Sequence, residues 1–173
     1  MTSPHHKPDA PISWRLRLMR WMHWWPPLLG AGIRITRMDP DLRAIDVEMR
    51  LTRLNRNVMG SHFGGSLYAM TDPFYMLMLI EHLGPDYVVW DKSAAIRYKR
   101  PGRGTVRAEF RLDPTFVDEI RTLLETADKA EPLFQIEVKD PTGQVIAEVD
   151  KVIYCAKRSV HNARRPARAA VTS

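Results

Sequence analysis

Ser66-Leu-Tyr-Ala-Met-Thr-Asp-Pro-Phe-Tyr-Met-Leu-Met-Leu-Ile-Glu-His82 is apolar almost all round when it is wound as a helix. A perimeter of that kind leaves no face for water, so the stretch predicts a helix buried on nearly every side. The rest of the chain must supply the walls. Ile45, Val47, Met49 and Leu51 alternate with Asp46, Glu48 and Arg50, which is the pattern of a half-buried strand. Val106, Ala108, Phe110 and Leu112 repeat it, and so do Phe134, Ile136 and Val138. Strands are expected within 87–99 and over 105–112, 133–139 and 145–157, with a helical stretch over 116–127. Pro141-Thr142-Gly143 is a turn, and it joins the last two strands as a hairpin. In the final strand Val145, Ala147 and Val149 share one parity while Val152 and Tyr154 take the other, which predicts a bend or bulge near Asp150.

One apolar helix and a set of one-faced strands have a simple packing solution. An antiparallel sheet of five or six strands curls around the helix, giving an α+β fold. Such a sheet leaves edges exposed, and a second copy of the chain is the expected cover.

The 173 residues, 45% of them hydrophobic, suffice for one sizeable core and predict one domain over 31–157. The single cysteine, Cys155, allows no internal disulfide and reads as a packed thiol in an apolar strand. The net charge of +6 gathers at the ends, with His5, His6 and Lys7 at one and Arg158, Arg164, Arg165 and Arg168 at the other. The stretch 158–173 is expected to be a disordered basic tail, and without stacking aromatics it does not make a nucleic-acid module. Residues 1–30 hold a tail and an amphipathic helix. Over 13–29 the three arginines Arg15, Arg17 and Arg20 rule out a membrane span or a signal peptide. Trp14, Leu18, Trp21, Met22 and Trp25 fall on one face, which is expected to cover the domain rather than lie on a membrane surface. A cytoplasmic protein is the expectation.

The chemistry points to Asn57-Val-Met-Gly-Ser-His-Phe-Gly-Gly-Ser-Leu-Tyr-Ala-Met-Thr-Asp72. Gly64 and Gly65, with Ser66 in support, leave backbone N–H groups uncovered at a helix start, where donors and the positive dipole end favour a developing oxyanion. Asp72 suits a general base toward water or a nucleophile forming an anhydride. Asp before Pro73 is equally an ordinary helix-start pair, a cap followed by proline. On a continuous helix Gly64 and Asp72 stand about 12 Å apart along the axis, too far to serve one carbonyl. If both act, Gly64 of one subunit meets Asp72 of another. Asn57 carries an amide donor and acceptor that suit the carbonyl or the lytic water. No spacing of histidines and acids makes a metal site.

This stretch resembles the hotdog-fold thioesterases, and within them the branch that includes the phenylacetyl-CoA thioesterases. That branch carries an Asn, a His-Gly-Gly and an Asp in its central helix; Asn57, Phe63-Gly64-Gly65 and Asp72 stand at matching spacing. Ile96-Arg-Tyr-Lys-Arg-Pro-Gly102 is similar to the hotdog strand that ends in an aromatic and a proline before a glycine turn. Phe-Gly-Gly-Ser-Leu-Tyr-Ala-Met with Asp-Pro is most similar to an uncharacterised group of the superfamily. The resemblance covers 31–157. It implies a hotdog fold, hydrolysis of an acyl thioester without a cofactor, and roles in which Asn57 orients, Gly64 supplies the oxyanion N–H and Asp72 is base or nucleophile. Two departures stand out: Phe63 replaces the usual histidine, and Pro73 is expected to kink the helix and turn the Asp72 side chain.

An acyl thioester of coenzyme A or of a carrier protein is the expected substrate. Met70, Phe74, Met76 and Met78 suit an acyl chain, Phe63 and His62 flank the reacting end, and Arg97, Lys99 and Arg100 suit phosphates. A homodimer or a dimer of dimers is expected. A non-catalytic acyl-binding protein is the alternative, and a membrane-surface protein on a hotdog scaffold is a third reading.

Overall fold

Each stretch read as a strand folds as one. In the computed structural model, which describes residues 22–164, the strands are β1 (Ile33–Met38), β2 (Ala44–Arg50), β3 (Tyr87–Tyr98), β4 (Thr105–Arg111), β5 (Leu133–Lys139) and β6 (Val145–Lys157). They form one antiparallel sheet in the order β1-β2-β4-β5-β6-β3. β1 goes beyond the sequence reading, because its alternation is short and its outer half is polar. It pairs with β2 from Ile33 opposite Met49 to Met38 opposite Ile45.

The helices are α1 (Pro26–Ala31), α2 (Gly64–Ala69), α3 (Phe74–Leu83), α4 (Pro114–Thr126) and α5 (Arg158–Arg164). Asp113 caps α4 by accepting from the Thr115 amide at 2.8 Å, and Val117, Ile120 and Leu124 bury one face of it. The expected single helix over 66–82 is two. Pro73 has no N–H to give and its ring opposes the carbonyl of Ala69, so α2 cannot run through it. Thr71 closes α2 instead, its amide and its hydroxyl both donating to the Tyr68 carbonyl at 2.8 Å. α3 restarts at Phe74.

α3 lies against the sheet's inner face. Phe74 meets Phe110 with ring centroids 4.8 Å apart, and Tyr75 stacks on Phe134 at 4.1 Å. Met78, Leu79 and Leu83 complete the buried side with Ile45, Val47, Met49, Val106, Ile136, Val138 and Val149. This is the α+β hotdog fold, a curled antiparallel sheet wrapped on a central helical segment.

The expected bulge near Asp150 is not there. Ala147, Val149, Lys151, Ile153 and Cys155 face the core in unbroken alternation, and the irregularity lies on the neighbouring strand, where Lys92 is the extra residue between Asp91 opposite Ile153 and Ser93 opposite Val152. Val152 and Tyr154 belong to the outer face, where Tyr154 stacks on Trp90 at 4.2 Å. Cys155 is fully buried, and burial pushes its thiol up to about 12. The tail expected from 158 begins as α5, whose Arg158 guanidinium donates to the carbonyls of Pro85 and Tyr87. Of the N-terminal amphipathic run, Trp14, Leu18 and Trp21 lie outside the described residues, as does the basic stretch after 164. Among the described residues no helix is long and apolar enough to cross a membrane.

Candidate functional site

Asn55 and Asn57 build the loop that delivers α2. Asn55 is buried; its Oδ1 accepts from the Thr52 amide at 2.7 Å and its Nδ2 donates to the carbonyls of Ala31 and Arg50 at 2.9 Å. Asn57 closes the next turn. Its Nδ2 donates to Ser61 Oγ at 3.0 Å and to the His62 carbonyl at 3.2 Å, while its Oδ1 accepts from the amides of Met59 and Ser61 at 2.9 and 3.1 Å. Both donors and both lone pairs of that amide are employed. The side chain of Asn57, expected to orient a carbonyl or a water, here shapes the loop.

His62 is packed into the same loop. Its ring is buried, Nε2 lies 3.0 Å from the Gly104 carbonyl, and its amide donates to the Gly102 carbonyl. Burial lowers its pKa against the effect of the Gly104 bond.

The exposed Phe63 stands at the entrance of α2, and the glycines behind it lie close under the exposed rings of Phe63 and Tyr98. A Cβ on Gly65 would lie 2.5 Å from Phe63 Cε1, and one on Gly64 would lie 2.9 Å from Tyr98 Oη. The amides of Gly64 and Gly65 precede the first helical bond, which Ser66 makes by donating to the Phe63 carbonyl at 3.0 Å. Gly64 and Gly65 thus offer the donors of this end, while the Ser66 amide is already committed.

Asp72 lies in the break between α2 and α3. Its side chain is 44% exposed, whereas its partner Lys151 on β6 is fully buried. Lys151 Nζ donates to Asp72 Oδ1 at 2.9 Å, to Asp91 Oδ2 at 2.9 Å and to the Asp72 main-chain carbonyl. Asp91 sits on β3 beside the bulge; burial raises its pKa while Lys151 draws it back down. The Tyr68 ring lies under Lys151, with Nζ 5.8 Å from its centroid. Its hydroxyl is pushed up to about 12 by burial first and then by the charges of Asp72 and Asp91.

Two clusters therefore stand where the sequence suggests one. Phe63, Gly64, Gly65 and Tyr98 form the first; Asp72, Tyr68, Lys151 and Asp91 form the second. Tyr98 pairs with Ala147 on β6, and Lys151 lies four residues further along, roughly 13 Å in an extended strand. The two clusters thus engage β6 at different points along the strand.

The remaining expected contacts are elsewhere. On the outer face of the sheet Arg97 pairs with Glu148 at 3.2 Å and Asp150 at 2.5 Å, and Lys99 pairs with Glu148 at 3.0 Å. Arg100 is exposed just after the end of β3, its amide donating to the Ile146 carbonyl at 3.2 Å. Met70, Phe74 and Met78 are fully buried core, and Met76 is half-buried.

Tyr98, Asp91 and Lys151 escape the sequence reading. Lys151 had a signal: it falls on the parity of Ala147, Val149, Ile153 and Cys155, and a cation on an apolar face requires buried carboxylate partners.

The class defined by sheet and central helix is the hotdog fold, and solved structures agree. A protein of unknown function from Pseudomonas aeruginosa, described as a probable thioesterase, superposes with a TM-score of 0.71 at 22% identity over 82% of this chain and 95% of its own. A protein of unknown function from Chlorobaculum tepidum gives 0.67 at 16% identity, over 86% and 99%. A thioesterase from Haemophilus influenzae gives 0.55 at 15% identity, over 75% and 82%. No curated protein is similar in sequence to this chain. Residues 15–155 match the family described as a domain of unknown function, DUF4442, and the chain belongs to that family.

Proposed function

We propose that this protein is an acyl-thioester hydrolase that works as a homodimer on acyl groups carried by coenzyme A or a carrier protein. The observation that carries the reading is Asp72: a half-exposed carboxylate in a helix break, with Oδ1 held by a buried lysine and the Tyr68 hydroxyl bonded to the same carboxylate. The amides of Gly64 and Gly65 supply the complementary oxyanion donors. Asp72 takes the proton of a water as its oxygen bonds to the thioester carbon, or attacks that carbon itself and forms an anhydride that water then opens. The carbonyl oxygen carries the charge until the C–S bond breaks and the thiolate leaves.

The two clusters meet across subunits in this reading. β3 is an edge strand with Lys92, Ser93, Ala94 and Ala95 exposed. A two-fold axis at Ala95 sets Ala94 opposite Ile96 and Ser93 opposite Arg97, and so brings Tyr98 opposite the Asp91–Lys92 bulge. Gly64 of one protomer then faces Asp72 of its partner. The names of the Pseudomonas aeruginosa and Haemophilus influenzae proteins support the same chemistry.

Hydrolysis of a panel of acyl-CoA thioesters by the purified protein tests the proposal. Asp72→Asn is expected to lower the rate by 10²-fold or more, of the order ascribed to a general base, with folding unchanged. Full activity in that variant would sink the mechanism. The non-catalytic reading has its own observation, since Lys151 already employs Asp72 Oδ1 and its carbonyl as a structural tie. Binding of acyl-CoA without turnover by the wild-type protein would decide for it.

A further inference from the structure

Lys151 is more than charge compensation for one aspartate. An ammonium without water needs its charge and its donors satisfied, and one carboxylate with a main-chain carbonyl would have gone far toward that. Here two carboxylates converge on it, leaving the group one negative charge in excess. The excess is held in unfavourable surroundings: Asp91 Oδ1 is buried without a hydrogen-bond partner, and the Tyr68 hydroxyl and ring close the third side. A second carboxylate beside the first raises the cost of ionising both. Nothing in the packing of β3 requires a carboxylate at Asp91, which faces Ile153 on β6.

We propose that Lys151 and Asp91 are positioning residues for Asp72, Lys151 fixing Oδ1 and the helix-break carbonyl so that the carboxylate is held toward the thioester, and Asp91 anchoring the lysine from the other side and placing a second negative charge beside Asp72. The inference rests on the hydrolase reading. Lys151 Nζ stands 2.9 Å from an oxygen of each carboxylate, so the ammonium is shared between Asp72 and Asp91. The three charged groups that face one another come from the α2–α3 break, β3 and β6, and Tyr68 of α2 is the fourth titratable group of the set.

The test is the pH dependence of acyl-CoA hydrolysis. Asp91→Asn keeps the shape and an oxygen for Lys151 but removes the negative charge, so the acid limb should move down by about one pH unit, the lower end of charge-pair effects, and the plateau rate should fall. Lys151→Met removes the cation, so the acid limb should move up. A merely structural role predicts a uniform loss of rate, or of thermal stability, with no displacement of the limb. An unmoved limb in folded Asp91→Asn overturns the proposal, and that variant decides the matter if Lys151→Met does not fold. Carboxyl-carbon NMR titration of the aspartates in the wild type and in Asp91→Asn gives a readout independent of turnover. A wild type that hydrolyses no thioester defeats the hydrolase reading; displaced NMR midpoints would still support the coupled unit, and undisplaced ones would overturn it.

Discussion

A histidine ring without water around it resists protonation, and His62 is held below its ordinary value of 6.5 by burial, the Gly104 bond opposing. The unfolded chain binds that proton more readily, so the sign follows. Stability from this group is complete above about pH 6.5 and is lost as pH falls toward the folded-state value. His82 is displaced in the same direction by burial and then by Arg43. Asp91, raised by burial, has the opposite sign, and its cost is relieved only as pH falls into the carboxylate range. We expect the melting temperature to drop between about pH 7.5 and about pH 5, and His62→Gln to lessen that drop. Thermal denaturation at both values checks it; equal drops in the two proteins would refute the assignment. At this scale the sequence exposes groups whose role is local. Gly64, Gly65 and Asp72 can be picked out as candidates by their neighbours in the chain. For Asn57 nothing in the spacing tells that Ser61 and His62 return to bond its amide.

Between the residues and the molecule stands the interruption of the helix. The apolar perimeter of the 66–82 stretch is readable, and so is the presence of Pro73; the geometry that follows is not, because it depends on which group takes the carbonyl of Asp72 at the break. Lys151 takes it, from a strand 79 residues away in sequence. Proline disfavours helical backbone at the residue before it, which is Asp72, and so favours a break where the lysine grips. In Pro73→Ala the amide returns and the ring clash with Ala69 disappears, so α2 and α3 can join and the Asp72 carbonyl can accept within the helix. Hydrolysis should fall several-fold while the melting temperature holds or rises. An active variant with unchanged rate would show that the break is incidental to the site. Strand parity tells a parallel story: it locates β2, β4, β5 and β6, yet opposite Lys151 the extra residue lies on β3, so β6 keeps its alternation from Ala147 to Cys155, and that alternation is what carries Lys151 inward.

For the whole molecule, the proposed dimer would cover the exposed edge of β3 and bring Gly64 of one copy to Asp72 of the other. Ala95 sits on the expected two-fold axis, so Ala95→Asp would set two like charges opposite each other across the seam and should give a monomer with little hydrolysis. Complementation tests the sharing itself. Gly64→Ala places a methyl against Tyr98 Oη, at a point where a Cβ has 2.9 Å, and so obstructs the oxyanion end. Asp72→Asn removes the carboxylate end. Neither homodimer should turn over. A heterodimer of the two holds one site with both defects and one with wild-type Gly64 facing wild-type Asp72. Random mixing in equal amounts then yields about a quarter of wild-type activity, since half the dimers are mixed and half their sites are intact. Adding Ala95→Asp to both chains should abolish the rescue. Mixed dimers demonstrated by mass spectrometry yet devoid of hydrolysis would place both groups of the site within one subunit, and the broken helix would then have to bring Gly64 and Asp72 together without the partner.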